Sequence, residues 1–512
     1  MKNKVGKKGK VYLVGMGPGN PQLSTLAVVN CIQKAEVIIY DHLMSTELLR
    51  HKSAGCELIY AGKSPDQHSM KQDEISRLLV KKAKENKIVA RLKGGDPFLF
   101  GRGSEEACAL AQEKIPFEIV PGVSSGIAAA AYAGVPLTHR GIASSVTFVT
   151  GHEDPGKTGS SVDWGKLAAI NGTLVVFMGM SRLELIIKDL LGHGKDKRTP
   201  VCVVQWGTLP KQRSVTGRLE NIAAIVKAQG ITNPAIVIIG EVVKLKKILN
   251  WFETKPLFGK KILITRPEAL TREFSLILEE QGAQAVSYPL IEIRRIKGLD
   301  EDKVLKKLRA NDWIVFTSRN AVEICFDILA KAGKDIRFFG QAKIAALGSQ
   351  TSEDLKKRGI IPDLVPKNFV MESLLRDLKK QGIRGKKVFL PHSYQARPLL
   401  AKGLISAGAV LDEVFIYDAV MPRKVRQTNF RKMIEAENFD LITFTSSSGV
   451  RQFMRLMKRS RALLRKQKFA VIGPITEKTL AGYGFKACLA AKNFTAPGLA
   501  QVICAYFKKR KK

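Results

Sequence analysis

The stretch Arg91-Leu92-Lys93-Gly94-Gly95-Asp96-Pro97-Phe98-Leu99-Phe100-Gly101-Arg102-Gly103 decides how the first half of this chain is interpreted. It follows the apolar run Ile88-Val89-Ala90, which predicts a short buried strand. Because four glycines and a proline fall within ten residues, the stretch is neither a helix interior nor a central strand. Glycines let backbone N–H and C=O groups approach a ligand, and Asp96 adds one negative charge. We expect a loop that binds a polar, partly cationic small molecule, with a purely structural turn as the alternative.

The composition indicates a multidomain protein without a membrane segment. At 512 residues, of which 45% are hydrophobic, the chain is expected to form several domains. It contains no run of about eighteen apolar residues, and the basic segment Met1–Lys10 lacks the apolar region of a signal peptide. The seven cysteines are scattered and never form a CxxC pair. We therefore expect a cytoplasmic protein with no metal site and no membrane partner.

The formal net charge of +38 has two possible explanations. It could reflect binding of nucleic acid or of a highly anionic small substrate. It could also be a general compositional bias, with the basic residues solvated on the surface. The basic residues are dispersed and lack interleaved aromatic residues, so we favour the bias for most of the excess and regard a nucleic-acid partner as disfavoured.

The first half alternates short β-branched runs with helical periodicity, which is typical of an α/β fold. The predicted strands are Val11–Val14, Val37–Tyr40, Ile88–Ala90, Phe117–Ile119, Val146–Val149, Leu174–Met178, Val201–Gln205 and Ala235–Ile239. The pattern ends near Val243, and a connector leads to a new strand after Gly259.

The second half repeats itself. Three segments recur in the same order: Gly259–Ile264 as Gly385–Leu390 after 126 residues, Ile314–Val322 as Ile442–Val450 after 128, and Lys343–Thr351 as Lys468–Thr476 after 125. A domain-sized period that occurs twice indicates one duplicated α/β unit rather than a solenoid. Two similar lobes imply a cleft between them, where ligands commonly bind.

Hydroxyl side chains stand in both lobes where a strand gives way to a helix. They are Ser318, Thr351, Ser446 and Thr476. Serine and threonine routinely cap helices, and capping alone would explain each position. Their symmetric recurrence also fits helix N-termini that face a shared anionic ligand. The sequence is compatible with both interpretations.

An ordered set of motifs gives the first half a family resemblance. The motifs are Gly15-Met-Gly-Pro-Gly-Asn20, Val37-Ile-Ile-Tyr-Asp41, Ala61-Gly-Lys63, the loop 94–103, Val120-Pro-Gly-Val-Ser-Ser125, Leu137-Thr-His-Arg-Gly141, Thr150-Gly-His152, Phe177-Met-Gly-Met180, Gln205-Trp-Gly-Thr208 and Asn233-Pro-Ala-Ile236. Residues 10–245 resemble the tetrapyrrole (corrin/porphyrin) methylase family, and within it the uroporphyrinogen-III C-methyltransferases. The resemblance implies two subdomains with S-adenosylmethionine between them and usually a homodimer.

The same resemblance implies roles for individual residues. Asp41 corresponds to the family's proton acceptor and Lys63 to its proton donor; a structural ion pair is the alternative for both. The implied cofactor contacts are Pro18, Gly94, Gly95, Asp96, Leu99, Ser124, Ser125, Met178 and Gly207. Among these, the side chains of Leu99, Ser124 and Ser125 are expected to act through backbone or packing contacts.

The duplicated half resembles uroporphyrinogen-III synthase over residues 259–507. The matching motifs are Thr265-Arg-Pro267, Phe316-Thr-Ser-Arg-Asn-Ala-Val322, Gly348-Ser-Gln-Thr351, Val414-Phe-Ile-Tyr-Asp418, Phe444-Thr-Ser-Ser-Ser-Gly-Val450 and Ile472-Gly-Pro-Ile-Thr476. The resemblance implies that linear hydroxymethylbilane is dehydrated and cyclised without a cofactor. It makes Tyr417 a candidate to assist hydroxyl departure, with interdomain packing as the alternative.

Substrate contacts in this half are implied for the hydroxyls of Ser318, Thr351, Ser446 and Thr476. Arg266 and Arg319 are possible carboxylate partners, with surface solvation as the alternative. Arg397 is a further candidate, but the segment Leu390–Arg397 departs from the family pattern.

Together the resemblances imply a bifunctional enzyme that makes uroporphyrinogen III and methylates it twice, at C2 and C7, to precorrin-2. The alternatives are a methylase-fold enzyme that acts on RNA or protein and a second half that is a ligand-binding module. The expected boundaries are a basic tail 1–10, the methylase 11–245, a linker 246–258, the synthase 259–507 and a basic tail 508–512. The synthase lobes are expected to be 259–290 with 418–507, and 291–417.

Overall fold

The computed structural model describes residues 9–41, 44–62, 70–151, 162–423, 425, 427–458 and 460–510. The chain divides into two compact units, and each has a mixed α/β structure as the sequence predicts. The first unit comprises the residues up to 260, together with 278–284 and those from 507 onward. The second comprises 261–277 and 285–506.

The first unit contains two five-stranded sheets. Its strands are β1 Lys10–Gly15, β2 Val37–Tyr40, β3 Glu57–Tyr60, β4 Ile88–Lys93, β5 Phe117–Val120, β6 Val146–Thr150, β7 Thr173–Phe177, β8 Pro200–Gln205, β9 Arg213–Arg218 and β10 Ala235–Ile239. Its helices are α1 Leu26–Lys34, α2 Gln72–Lys84, α3 Gly103–Gln112, α4 Ser125–Tyr132, α5 Trp164–Ala169, α6 Leu183–Gly192, α7 Ile222–Ala228 and α8 Lys246–Leu249.

The two sheets of this unit differ in direction. The first has the order β3-β2-β4-β1-β5 and is parallel throughout. The second has the order β6-β7-β10-β8-β9, and β10, β8 and β9 introduce antiparallel pairs. All eight predicted strands of this half are present, whereas β3 and β9 were missed. Both are edge strands with exposed positions, and a polar sequence such as that of β9 carries little hydrophobic periodicity.

The second unit carries the other two sheets, except for Gln284 at the start of β12, which belongs to the first unit. Its strands are β11 Lys261–Ile264, β12 Gln284–Ser287, β13 Glu292–Arg295, β14 Trp313–Phe316, β15 Lys343–Ala346, β16 Lys387–Ser393, β17 Val410–Val420, β18 Leu441–Phe444, β19 Phe469–Val471 and β20 Leu489–Ala490. The helices of this half of the chain are α9 Glu268–Glu280, α10 Glu301–Ala310, α11 Arg319–Lys331, α12 Ser349–Lys357, α13 Met371–Lys380, α14 Leu399–Ser406, α15 Gln427–Ala436, α16 Ser447–Leu456, α17 Arg461–Leu464, α18 Pro474–Ala481 and α19 Ala496–Lys509.

The duplication is visible in the order of these strands. One sheet runs β12-β11-β18-β19-β20 and the other β13-β17-β16-β14-β15. The repeated segments form β11, β18 and β19 in one sheet and β16, β14 and β15 in the other, so they occupy matching places. Within each trio the strands are parallel, and their carboxyl ends therefore meet at one edge. The lobe and domain boundaries given above stay predictions.

The segment 246–258, which the sequence suggested as a linker, packs on the first unit. The indole nitrogen of Trp251 donates to the carbonyl oxygen of Ala131 at 2.9 Å. The carboxylate of Glu253 lies 2.9 Å from the ammonium of Lys246, and Phe252 is buried. The polypeptide thus stays attached to the first unit along this segment. Among the described residues, no helix has the length and apolar character needed to cross a membrane.

Candidate functional site

Three loops of the first sheet approach one another more closely than side chains would permit. A Cβ atom on Gly122 would lie 2.3 Å from the carbonyl oxygen of Gly95 and 2.5 Å from that of Gly15. A Cβ atom on Gly15 would lie 2.6 Å from the backbone nitrogen of Gly122. These loops follow β1, β4 and β5, so the carboxyl ends of three neighbouring strands meet through backbone alone.

Hydrogen bonds hold the loop 94–103 between its neighbours. The backbone nitrogen of Gly95 donates to the carbonyl of Gly17 at 2.7 Å, and the reverse bond measures 3.1 Å. The carboxylate of Asp96 accepts from the backbone nitrogens of Phe98 at 2.8 Å and of Gly122 at 3.0 Å. Asp96 therefore fixes the shape of the loop. A direct bond from Asp96 to a cofactor stays a prediction.

Loops of the second sheet meet this edge in a strained backbone conformation. Met178, Trp206 and Thr208 have φ angles of 53°, 51° and 72°. Residues other than glycine adopt such angles rarely, and they cluster at functional sites. The backbone nitrogen of Asn20 donates to the hydroxyl of Thr208 at 3.2 Å. The turn that contains Pro18 is thus brought to the loop 206–208.

Four other predicted cofactor contacts lie between the two sheets. Ser124 caps α4 by accepting a backbone N–H at 3.4 Å, and Ser125 is the first residue of that helix. Leu99 packs against the apolar cluster of the second sheet. A Cβ atom on Gly207 would lie 2.6 Å from the Cβ of Ala129 in α4, so Gly207 permits a close approach between loop and helix.

Asp41 belongs to a chain of charged side chains that leads into the protein. Its Oδ2 lies 3.3 Å from Nη2 of Arg91, whose side chain is 3% exposed. Oε1 of Glu106, which is fully buried, lies 3.2 Å from Nε of Arg91 and 2.8 Å from Nζ of Lys93. Burial, followed by the charge of Arg91, lowers the pKa of Lys93. The arrangement holds the carboxylate of Asp41 at the end of β2, beside the glycine loops.

Sequence reasoning missed Arg91 and Glu106 as part of this site. The available signal was the alternation of Arg91 and Lys93 in an otherwise apolar strand, because a buried charge requires a partner. Lys63, the predicted proton donor, lies outside the described residues. The same is true of His152 and of most of the basic N-terminal tail.

In the second unit, two serines cap equivalent helices with nearly the same backbone conformation. Ser318 has φ −159° and ψ 155°, and Ser446 has φ −161° and ψ 154°. Their hydroxyl oxygens accept from the backbone nitrogens of Ala321 at 3.2 Å and of Gly449 at 3.1 Å. Capping is therefore established for both serines. Substrate contact by the same hydroxyls stays a prediction.

Tyr417 distinguishes one lobe from the other. Its phenol oxygen lies 2.8 Å from the hydroxyl of Ser318, and its side chain packs in the core beside β14 with 6% exposure. Burial raises the pKa of Tyr417, while hydrogen bonds from Ser318 and Asn320 oppose the shift. The phenol is consequently protonated at neutral pH, and its hydrogen can be donated.

Arg266 lies two residues beyond the end of β11, and two nitrogens of its guanidinium group are unsatisfied. Its Nε and Nη1 are buried and have no hydrogen-bond partner. Burial lowers the pKa of Arg266; Glu273 opposes the shift, and the positive charge of Arg319 adds to it. Arg319 itself is bound by Asp354, whose Oδ2 lies 2.6 Å from its Nε. Of the two predicted carboxylate partners, Arg266 therefore has the donors that an anion would satisfy.

The other predicted substrate contacts differ in exposure. Thr351 and Thr476 are each 5% exposed and stand in the first turns of α12 and α18. Arg397 is half exposed, and its Nη1 lies 3.9 Å from Glu372 Oε1. Among the described residues, no group of three His, Cys, Asp or Glu side chains could hold a metal ion.

Comparison with known proteins gives a family to each half. Residues 10–223 match the model of the tetrapyrrole (corrin/porphyrin) methylases, and residues 272–501 match that of uroporphyrinogen-III synthase HemD. The porphyrin biosynthesis protein HemD of Ruminiclostridium josui is 37% identical over 451 residues, which are 88% of this chain and 89% of that protein. The chain belongs to both families.

Two further similarities concern the first half. The S-adenosyl-L-methionine-dependent uroporphyrinogen III methyltransferase of Methanosarcina barkeri is 50% identical over 245 residues, which cover 48% of this chain and 96% of that protein. A crystal structure of the uroporphyrin-III C-methyltransferase of Thermus thermophilus, complexed with S-adenyl homocysteine, is 40% identical. It covers 46% of this chain and 94% of that chain with a TM-score of 0.39.

The chain is thus a bifunctional enzyme of tetrapyrrole biosynthesis, and S-adenosylmethionine is the cofactor of its methylase half. The loops fit such a group, because the half-buried turns at Pro18, Gly94 and Gly122 bring polar backbone to one edge and the apolar residue Met178 is 46% exposed. The buried chain of charges ends nearby at Asp41. The loops therefore combine polar backbone with an apolar surface.

Proposed function

We propose that the synthase half cyclises hydroxymethylbilane to uroporphyrinogen III and that the methylase half then methylates this product at C2 and C7. The final product would be precorrin-2, from which sirohaem and cobalamin derive. One observation carries the proposal: a single chain holds the interlocked glycine loops beside Asp41 and, separately, two matching serine-capped helix starts with the unsatisfied Arg266.

In the methylase half, the residues position and deprotonate the acceptor. When bound, S-adenosylmethionine supplies an electrophilic methyl group on a cationic sulfur. The interlocked loops present a fixed backbone, because Asp96 and the close glycine contacts leave them little freedom. After a pyrrole carbon has taken the methyl group, Asp41 accepts the proton that the ring loses, and Arg91 holds the carboxylate in place. Lys63 would serve as the proton donor.

In the synthase half, Tyr417 serves as the acid for loss of the terminal hydroxyl. Ser318 accepts a backbone N–H and can donate its own hydroxyl hydrogen to Tyr417, which leaves the phenol hydrogen for the substrate. The C–O bond of the hydroxymethyl group breaks and the oxygen leaves as water. The new C–C bond forms at the carbon of the last pyrrole that already carries the link to its neighbour. That link then breaks and re-forms at the other α-carbon of the same ring, which inverts the ring, and the proton lost from this carbon restores the phenol. One water is lost overall, as the reaction requires.

Substrate carboxylates give the basic groups of this half a role. Hydroxymethylbilane and uroporphyrinogen III each carry eight carboxylates. Arg266 offers buried N–H groups without partners, and the helix starts at Ser318 and Ser446 favour negative charge. The excess of positive charge on the chain would raise the rate of substrate capture by electrostatic steering.

We further propose a cytoplasmic enzyme that forms a homodimer through its methylase half. The cytoplasm is supported by seven scattered cysteines, none in a disulfide. The homodimer rests on the resemblance alone. Size-exclusion chromatography with light scattering would test it, and a monomer at micromolar concentration would contradict it.

The test of the proposed function is an incubation of the full chain with hydroxymethylbilane, with and without S-adenosylmethionine, followed by identification of the products. We expect uroporphyrinogen III without the donor and precorrin-2 with it. Uroporphyrinogen I alone, the spontaneous product, would contradict the synthase activity. Unmethylated uroporphyrinogen III in the presence of the donor would contradict the methylase activity.

A further inference from the structure

A short segment beyond those already described also recurs in the duplicated half. Lys367-Asn368-Phe369 returns as Lys492-Asn493-Phe494, 125 residues later. Each copy follows a residue that pairs with the preceding strand at an equivalent place, since Leu364 bridges to Ala345 and Leu489 pairs with Ala470. The two copies therefore follow equivalent strand positions in their lobes. Each lies at the sheet edge where the capping serine of its lobe also stands.

The backbone of the repeat is also the same in both lobes. The nitrogen of Val370 donates to the carbonyl of Asn368 at 2.7 Å, and that of Thr495 donates to the carbonyl of Asn493 at 2.7 Å. This tight turn uses main-chain atoms only. The hydrogen bond accounts for the turn. It does not account for the phenylalanine that lies between the two bonded residues in both copies.

Both phenyl rings are exposed although they are large and apolar. Phe369 is 45% exposed and Phe494 is 48% exposed. A single exposed apolar side chain is ordinary on a protein surface and needs no explanation. Two exposed phenylalanines at equivalent positions of a diverged duplication do need an explanation, because burial of either ring would have stabilised the fold.

The matching N-cap glycine lies beside each phenylalanine, closer to Phe494 than to Phe369. A Cβ atom on Gly473 would lie 3.0 Å from Cδ1 of Phe494, and one on Gly348 would lie 3.9 Å from Cβ of Phe369. These glycines are the N-caps of α18 and α12. Each lobe thus places a flat apolar surface beside a helix N-terminus, where backbone N–H groups attract negative charge.

We infer that Phe369 and Phe494 bind the pyrrole rings of the linear tetrapyrrole and thereby determine which cyclic isomer is released. This inference rests on the proposed synthase function. A pyrrole ring of the substrate is flat and apolar, whereas its substituents are carboxylates. A phenyl ring next to a helix N-terminus offers both complements at once, with aromatic stacking for the ring and N–H groups for the carboxylate.

The binding of two pyrrole rings controls the product because the free bilane cyclises by itself without inversion of its last ring. A bilane held at both lobes closes in the conformation that the enzyme imposes. A bilane that is released early closes in solution and gives uroporphyrinogen I. Both phenylalanines are therefore specificity-determining residues of the synthase reaction.

The test compares three substitutions at each position. Phe→Ala removes the ring, Phe→Leu keeps apolar volume without a flat face, and Phe→Tyr keeps the face. The matched control is Ile405→Ala, which removes an apolar side chain that is 60% exposed on α14. For each variant, kcat and KM with hydroxymethylbilane, the ratio of uroporphyrinogen I to III, methylation of supplied uroporphyrinogen III and the melting temperature are measured.

We expect F369A and F494A each to raise KM roughly tenfold and to increase the fraction of uroporphyrinogen I, as loss of one stacking contact predicts. The leucine variants should resemble the alanine variants, and the tyrosine variants and I405A should resemble the wild type. Methylation of supplied substrate and the melting temperature should stay unchanged in all of them.

An unchanged KM and isomer ratio in F369A and F494A would overturn the inference. The proposed function would still stand in that case, provided that the wild type makes uroporphyrinogen III. Full activity of the leucine variants would also overturn it, because the flat face would then be dispensable. If the alanine variants fail to fold, the contrast between leucine and tyrosine decides in the same way. A wild type that yields uroporphyrinogen I alone would instead refute the proposed function itself.

Discussion

The two halves of the chain build their sites by different means. In the methylase half, loops interlock through glycines such as Gly95 and Gly122, and residues such as Met178 carry positive φ angles. In the synthase half, the site residues begin regular helices in ordinary conformations, as Ser318 and Ser446 do. Backbone shape forms the first site, whereas side chains at helix starts form the second.

This difference determines how each half tolerates change. A loop that needs glycine at several successive places admits almost no other residue, so its sequence is specific. A helix N-cap accepts serine, threonine, aspartate or asparagine with little difference in stability. The motifs of the first half are correspondingly long, and those of the second half are short strand ends of common residue types.

The largest effect is expected for Asp41→Asn. Loss of the proton acceptor should lower the rate of methyl transfer by about 10²- to 10⁴-fold. Binding of S-adenosylmethionine, measured by calorimetry, should remain. The matched control is Glu184→Gln, an exposed acid in the first turn of α6, which should keep full activity. Wild-type methylation by D41N would remove Asp41 from the chemistry.

Gly122→Ala tests whether backbone shape forms the methylase site. The added Cβ would meet the carbonyl oxygen of Gly95 at 2.3 Å, so the loops must separate. A displacement of this size should lower methyl transfer about 100-fold, while the synthase half keeps its rate. Gly192→Ala is the control, because nothing lies within 4 Å of its Cβ position. If G122A methylates as fast as G192A, the interlock is not functional.

Arg266→Met tests the side-chain site. Its guanidinium has buried N–H groups without partners, so replacement by an apolar side chain of similar length should raise the melting temperature or leave it unchanged. The KM for hydroxymethylbilane should rise about tenfold, since a hydrogen bond to a charged partner is lost. A lower melting temperature with an unchanged KM would assign Arg266 a purely structural role.

The smallest effects are expected for the paired caps. Ser446→Ala and Ser318→Ala should each lower the free energy of unfolding by about 1 kcal/mol, through loss of the same N-cap bond. Only S318A should also lower the kcat of cyclisation, because Ser318 alone contacts a tyrosine. Chemical denaturation and steady-state kinetics separate the two effects. Equal kcat values in both variants would contradict the role given to Tyr417.

The sequence predicted the fold better than the chemistry of its sites. Hydrophobic periodicity located eight strands of the first half, and the repeat located the matching strands of the second. The sequence did not show that both carboxylate oxygens of Asp96 accept hydrogen bonds from backbone N–H groups, or that Arg319 is bound by Asp354. Such pairings depend on residues brought together by the fold from distant parts of the chain. The recurrence of Phe369 as Phe494 is visible in the sequence, but the exposure of both side chains is not.

The central claim is that the two sites are built differently and work independently. Its most direct test is to assay G122A and R266M in both reactions, with uroporphyrinogen III supplied for methylation and hydroxymethylbilane for cyclisation. We predict that G122A loses methyl transfer about 100-fold and that R266M loses synthase efficiency about tenfold. Each variant should keep the other reaction within about twofold of the wild-type rate. Loss of both reactions in either variant would contradict the account.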